Sequence, residues 1–414
     1  MRIVLPQDRQ DLETPAAASA RRRLLALLIA MTAIAPLTLN IIVPAVPNLA
    51  VELNASADTV QLTISLYLLV LACSQLALGP LSDKFGRRPV ILVGIALTAV
   101  TSAGALLASN IEELILARSV QALGASTGLV VGRAIIRDLY HRDRAASMIA
   151  SVTMVVIAAP MVAPLLGGLL DTWFGWPSIF IATSAACVLV VIWAALALPE
   201  TRVKAPEGKP VKLWEEIRAL MRDRRFIGYV LCAGLGTAPF FAFLGGGPHV
   251  VVSLMGRTSA EYGVWFAINA LGYFLGNFVA ARYSSWLGID RMIWWGLLIS
   301  IAGVVFSVGL TGLFPHWGPA TLFIPQLIIS AGNGFLLPNS FAGAVSARPQ
   351  AAGAASGIAG FTQMAMGAVA TQAATVVLAG AETALPLAVM MALILVAATV
   401  AYVTLVRPRL LAAH

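Results

Sequence analysis

Gly79-Pro80-Leu81-Ser82-Asp83-Lys84-Phe85-Gly86-Arg87-Arg88-Pro89 joins two long apolar runs, Leu62 to Leu78 and Val90 to Leu107. Each run is long enough to cross a bilayer, so the charged turn between them sits at a membrane surface. Its residues have separate tasks. The glycines permit a turn too tight for a side chain, Asp83 accepts backbone or arginine hydrogen bonds, and Arg87 and Arg88 hold the loop on the cytoplasmic side. A plain basic loop needs only the arginines. The spacing of Gly79, Asp83, Gly86 and the arginine pair points to a loop that gates.

Composition agrees with that reading. Hydrophobic residues make up 59% of the 414 and charged residues 11%, with a mean hydropathy of +0.88, whereas soluble domains carry about 25% charged residues. The chain is therefore an all-α membrane protein. At about 20 residues per spanning helix, its length accommodates a dozen helices and no large soluble domain. The net charge of +8 is dispersed over short loops beside apolar runs, a topology signal that excludes nucleic acid as a partner. Cys73, Cys187 and Cys232 fall inside apolar runs without metal-ligand spacing, so they read as small packing residues and no metal site is expected. Arg21-Arg22-Arg23 precedes an apolar run with no small-residue cleavage site, so the first helix is expected to stay as the insertion signal.

The spans fall at about 24–47, 58–80, 89–109, 112–137, 145–170 and 176–198, then at about 226–251, 259–281, 290–313, 319–345, 351–379 and 384–406. This divides the chain into a disordered cytoplasmic leader (1–20), a first six-helix half (21–199), a cytoplasmic linker (200–225), a second six-helix half (226–407) and a cytoplasmic tail (408–414). Within the linker, Trp214 to Met221 suits an amphipathic surface helix. Nearly all basic residues lie in the leader, the linker, the tail and alternate loops, while the opposite loops carry Arg257 alone. Both termini are therefore expected in the cytoplasm. Six plus six helices about a cytoplasmic linker is the arrangement of two parallel repeats with a substrate site between them near mid-membrane. The second half repeats the opening stretch only in fragments, between Gly276 and Arg291.

The opening stretch resembles the signature loop of the major facilitator superfamily of secondary transporters, G-x-L-x-D-x-x-G-R followed by Arg or Lys. It matches at Gly79, Leu81, Asp83, Gly86, Arg87 and Arg88. Other stretches resemble the Bcr/CflA-type drug:H+ antiporters within it. Helix 4 carries Arg118, Gln121 and Gly124, similar to the family's second motif, and ends in Arg137-Asp138-Leu139-Tyr140. Helix 5 carries Ala159-Pro160 to Pro164 and then Gly167-Gly168, similar to the antiporter motif of exporters. By that resemblance Arg137 and Asp138 join Gly79, Asp83, Gly86, Arg87 and Arg88 in a latch at the inner gate, and Pro160, Pro164, Gly167 and Gly168 favour efflux.

The residues add detail of their own. Pro36, Asn40 and Pro44 of helix 1 share one face; the amide either bonds a carbonyl near the prolines or touches substrate. Arg118, about two turns inside its span, faces a cavity or a partner. Arg133 lies about 60° around and roughly 22 Å along the same helix, positioned either to line that cavity or to snorkel. Gly124, Gly128 and Gly132 form a small-residue stripe. Tyr67 and Gln121 join this wall. The second half offers Phe240, Phe241 and Phe243 on helix 7, Asn269 and Tyr273 on helix 8, Gln326, Asn333 and Asn339 on helix 10, and Gln363 with Met364 on helix 11. Amides among aromatics and methionines suit varied amphiphilic molecules, though amides also serve as interhelical glue.

Where the Bcr/CflA branch carries a proton-bearing aspartate in helix 1, this chain has Asn40. All 19 acidic residues fall in the leader, loops or helix ends, so the proton sites left to consider are His249, Asp83 and Asp138. No phosphate-binding loop or Ser-His-Asp set is present in the sequence, and no enzyme activity or cofactor is expected beyond the proton gradient as energy source. The expected protein is a monomeric multidrug or small-molecule exporter of a bacterial inner membrane, working by proton-coupled antiport and rocking of two halves around the site. Asn40 keeps open a gradient-independent facilitator or importer of an anionic or neutral metabolite. A non-transporting membrane receptor is the third possibility.

Overall fold

The computed structural model describes residues 15–139, 152, 159–160, 162–202, 213–314, 317–348 and 351–407, the side chains at 15–18, 20, 21, 137, 213–216 and 352 excepted. Every described element is helical. Lipid offers a backbone no partner, so the chain must satisfy its own amides within helices. We number the long helices α1 (Pro15–Ile41), α2 (Ala57–Phe85), α3 (Arg87–Gly104), α4 (Ile111–Leu139), α6 (Pro177–Ala197), α7 (Arg224–Pro248), α8 (Ser259–Leu287), α9 (Ile289–Leu313), α10 (Ala320–Ala347), α11 (Ala352–Leu378) and α12 (Leu385–Ala401). Helix α5, described over Val162–Phe174, completes the series. The other eleven, with the turns that extend some of them, are each long and apolar enough to cross a membrane.

Helix α1 begins at Pro15, where a fixed φ suits a first turn and the following alanines favour helix. It gives way at Ile41 to a tight turn, Val43–Ala45, and a short helix, Val46–Glu52. Pro44 and Pro47 remove the N–H groups that would have continued the ladder. In the linker, Leu213–Leu220 is helical and Leu220 is buried in the core of the second half.

The repeat is visible in the packing. Helix α4 packs on α1, α2 and α3, and α3 on α6; likewise α10 packs on α7, α8 and α9, and α9 on α12. Ser56 caps α2 by accepting from the Thr59 N–H, and Thr258 caps α8 by accepting from the Glu261 N–H. The α2–α3 turn is made by Gly86 at φ +102° and the α8–α9 turn by Gly288 at φ +83°, a region that favours glycine. Gly288 is thus the working remnant of the opening motif in the second half. The halves meet along α2 with α11 and α5 with α8, where a Cβ on Gly263 would lie 2.6 Å from the Pro164 carbonyl oxygen.

The α2–α3 turn is tied down from three sides. Arg87 pairs with Asp83 at 2.6 Å and with Asp138 of α4 at 2.9 Å, and donates to Ser82 Oγ at 2.6 Å. Arg88 donates to the Ala195 carbonyl of α6 at 2.7 Å. Glu200, just beyond α6, accepts from the N–H groups of Arg87 at 2.9 Å and Arg88 at 3.2 Å, capping the start of α3. Partial burial pushes the Glu200 carboxyl up, but the N–H groups of Arg202, Arg87, Arg88 and Thr201 outweigh it and hold it below the usual carboxylate value. Its contribution is therefore complete above the unfolded-state pKa and is lost only as pH falls through the lowered one.

Two predictions follow from this turn. Glu200→Gln should cost about 1 kcal/mol of stability at neutral pH, read as a lower melting midpoint in detergent, and the difference from the native chain should shrink below a pH of about 4. Asp138 is 18% exposed and Asp83 64%, so the ion pair with Asp138 is the less screened of the two. Asp138→Asn should cost about 1–3 kcal/mol and Asp83→Asn under about 1 kcal/mol in the same assay; equal losses would contradict this ranking.

Candidate substrate and coupling site

Arg118 of α4 lies at the centre of the first half, 2% exposed. Its guanidinium sits over the ring of Tyr67 of α2, 4.4 Å from the centroid, an attraction that strengthens where water is absent. Nη1 donates to the Thr38 carbonyl of α1 at 2.9 Å and to Gln121 Oε1. Gln121 in turn donates to Ser102 Oγ of α3 at 2.6 Å, and the Tyr67 hydroxyl bonds Thr38 Oγ1 at 2.6 Å. Four helices thus converge on one cation. Among the described residues Arg118 Nε and Nη2 have no hydrogen-bond partner, and no ion pair to Arg118 is formed. Asn40 donates to the Pro36 carbonyl at 2.7 Å, and its Oδ1 is buried without a partner.

The second half holds a neutral counterpart. Gln326 of α10 stands six residues before Gly332, as Arg118 stands six before Gly124. A Cβ on Gly124 would run into the Gly94 carbonyl of α3, and one on Gly332 into the Gly296 carbonyl of α9 at 2.6 Å. The two glycine crossings match, so Gln326 occupies the position of Arg118 in the repeat. It is 1% exposed, and neither end of its amide has a partner among the described residues. Asn333, nearly buried, also has a free Oδ1. Asn269 is instead engaged, accepting from Ser330 Oγ at 3.1 Å, and Asn339 donates to the Phe335 carbonyl at 2.7 Å.

Other residues singled out in the sequence sit apart from this centre. Phe243, 0% exposed, packs on Phe323 of α10 with ring centroids 5.1 Å apart, and Phe240 packs on Phe241 and on Phe266 of α8. Phe241 covers Gly367 of α11. Edge-to-face contacts gather these rings into a core. The Tyr273 carbonyl accepts from Asn277 of its own helix, Gln363 is nearly buried on α11, Arg133 is exposed on α4, and His249 is half-buried beyond the end of α7. Of the latch residues, Asp83, Arg87 and Asp138 form one ion-paired set, and Gly79 has no atom within 4 Å of its Cβ position. The side chain of Arg137 and all of Tyr140 lie outside the described residues.

At the face opposite the α2–α3 turn, the halves are joined twice. Gln372 of α11 accepts from Ser65 Oγ at 2.9 Å and donates to the Asp58 carbonyl at 3.1 Å, both on α2. On the other side Ser259 of α8 donates to the Pro44 carbonyl at 3.0 Å and accepts at 3.4 Å from Asn48, which also donates to Asp171 of α5 at 2.6 Å within the first half, and the Ala260 N–H donates to Thr172 at 3.2 Å. Gly167 lets α5 meet the Ile41 carbonyl of α1, and Gly168 lets it meet the Ser259 carbonyl of α8. Sequence reading passed over Thr38, Ser102 and this seam because their signal is a partner far along the chain. The recurrence of a polar residue six before a helix-crossing glycine was legible and pairs Arg118 with Gln326.

The sequence pattern of the Major Facilitator Superfamily matches residues 28–371. The MFS-type transporter YdgK of Bacillus subtilis (strain 168) is 33% identical over 397 residues, covering 94% of this chain and 96% of its own length. Multidrug resistance protein D of Escherichia coli (strain K12) is 30% identical over 345 residues, 82% of this chain and 85% of its own. A chloramphenicol resistance protein of Pseudomonas aeruginosa is 31% identical over 301 residues, 72% and 71%. The solved structure of a bacterial homolog of the human lysosomal transporter Spinster, inward-facing and unoccupied, shares the fold with a TM-score of 0.68 at 18% identity, over 93% of this chain and 95% of its own. The chain belongs to the Major Facilitator Superfamily, in its Bcr/CflA-type drug resistance branch.

Proposed function

We propose that this protein is an exporter of small amphiphilic molecules in a bacterial inner membrane, driven by proton antiport and working by rocking of its two halves. The observation that carries the reading is the joint made by the antiporter-motif glycines. Gly167 and Gly168 bring the α5 backbone against α1 within one half and against α8 across the seam, so the motif forms the bearing on which the halves move. Relatives named for multidrug and chloramphenicol resistance agree with efflux. Arg118 with its free donors and Gln326 with its free amide supply polar groups from opposite halves, which suits ligands that carry hydrogen-bond acceptors in an apolar frame. On this reading the Asp83, Arg87, Arg88 and Asp138 network stiffens the first half beside the cytoplasmic gate, Arg137 and Gly79 complete the latch, and both termini are cytoplasmic.

A second reading rests on Asn40 and on Arg118 having no carboxylate beside it among the described residues: a gradient-independent facilitator for an anionic or neutral metabolite. Purified protein in liposomes separates the two. A chloramphenicol-like or cationic dye substrate should accumulate faster under an imposed pH gradient; equilibration indifferent to the gradient would favour the facilitator.

Arg118→Lys should lower the initial transport rate at least about tenfold with assembly retained, because an ammonium neither stacks on Tyr67 nor reproduces the planar fork of donors. A rate within about twofold of native would remove Arg118 from the site. Gly168→Ala should also slow transport, since its Cβ meets the Ser259 carbonyl and holds the seam apart; the strain is about 1–3 kcal/mol, readable as a shift toward an open outer face in cross-seam distance measurements.

A further inference from the structure

Arg118 and Asp171 are the most buried charged side chains among the described residues, at 2% and 6% exposure. Arg118 belongs to the central site. Asp171 has no place in it, yet it stands where the halves touch. Its carboxylate accepts from Asn48 Nδ2 at 2.6 Å and faces Ser259 Oγ, which accepts from the same Asn48 Nδ2 at 3.4 Å and donates to the Pro44 carbonyl at 3.0 Å. Asn48 and Pro44 belong to the first half, as Asp171 does; Ser259 opens α8 in the second.

The count of protons decides what this cluster needs. A serine hydroxyl has one proton, and a carbonyl can only accept. If Asp171 is ionised, its carboxylate and the Pro44 carbonyl compete for the single Ser259 proton. If Asp171 is protonated, it donates to Ser259 Oγ, Ser259 donates to Pro44, and Asn48 donates to the other carboxyl oxygen. Every group is then satisfied, and a third bond crosses the seam beside the Ser259–Pro44 and Asn48–Ser259 bonds, which need no proton on Asp171. Glu52, held by Trp176 Nε1 at 2.7 Å, is a second acidic group acting on Asp171. The other titratable or charged groups on adjoining segments are Glu261 in the first turn of α8, and His249 and exposed Arg257 between α7 and α8; the nearby ends of α1 and α6 contribute none.

The matching joint on the other side of the molecule, Gln372 with Ser65 and Asp58, uses an amide and cannot titrate. The bonds on that side of the outer seam, which reach Asp58 through its backbone carbonyl, are therefore neutral, and those on the other side include an ionisable group. We propose that Asp171 is the proton-binding group of the outer gate: a proton taken up from the outer side completes the Asp171, Ser259, Pro44 clasp and closes the halves there. Opening returns the carboxyl to water, where it ionises. In an exporter this makes external acid drive the return stroke after substrate has left. The use assigned to the clasp rests on the exporter reading; the clasp itself does not.

Spin labels at Val51→Cys and Glu382→Cys, exposed positions on opposite halves, in a Cys73→Ser background and in nanodiscs, report the seam by pulsed dipolar spectroscopy between pH 5 and 9. The native ratio of closed to open outer face should fall by up to about tenfold per pH unit through the titration of one group. Asp171→Asn should stay closed at every pH, since a carboxamide accepts from Asn48 and donates to Ser259. Ser259→Ala, which breaks the relay and keeps the carboxyl, should shift the seam toward open and flatten its pH response. An unchanging native distance distribution, or a native pH response retained in Asp171→Asn, overturns the proposal. Gradient-driven transport in the same preparations is read separately. Transport with a pH-insensitive seam sinks the clasp and leaves the exporter standing, whereas a pH-sensitive seam without gradient-driven transport keeps the clasp and removes proton coupling from the proposed function.

Discussion

Lipid gives two helices little reason to associate, because leaving hydrocarbon for another apolar surface gains almost nothing. What holds this protein together is close approach of backbones, possible only where side chains vanish. Gly124 against Gly94 and Gly332 against Gly296 set the central crossing of each half, while Gly167, Gly168 and Gly263 set the joints around α5 and between the halves. Everything polar in the interior is placed by these crossings. Arg118 reaches Tyr67 and Thr38 because α4 lies tight against its neighbours, and Gln326 takes the equivalent place because α10 crosses α9 in the same way.

The two halves then differ in charge rather than in architecture. One buries a cation whose compensation consists of a carbonyl, an amide and an aromatic face. The other buries an amide with both ends free. A buried cation is unfavourable unless something else repays its desolvation, and here the Thr38 carbonyl, the Gln121 amide and the Tyr67 ring do so in part.

The two membrane faces also divide the labour. At the basic face the ionic network lies within the first half, tying α2, α3 and α4 to one another, with Glu200 reaching across from the end of α6. It stiffens one half as a body. At the opposite face the bonds run between bodies, through Ser259 and Gln372. On the rocking proposed above, the bonds of this seam are the ones that break when the halves part.

Much of this was legible in the chain. Hydropathy set the number of spans, because twenty apolar residues admit no other fate in a bilayer, and the Gly79 to Arg88 stretch identified the family because a turn with Gly86 at φ +102° and a doubly paired Arg87 leaves a fixed residue spacing. The buried arginine was visible for the same reason: a charge inside a span stands out. Tertiary structure alone decided which polar residues meet. Glu200 capping α3, Ser102 and Thr38 around Arg118, the burial of Phe243 in an aromatic core, and Asp171 against Ser259 all join residues from different helices. Local sequence encodes a helix and its faces, because those follow from periodicity; which face meets which partner depends on crossings set by glycines tens or hundreds of residues away.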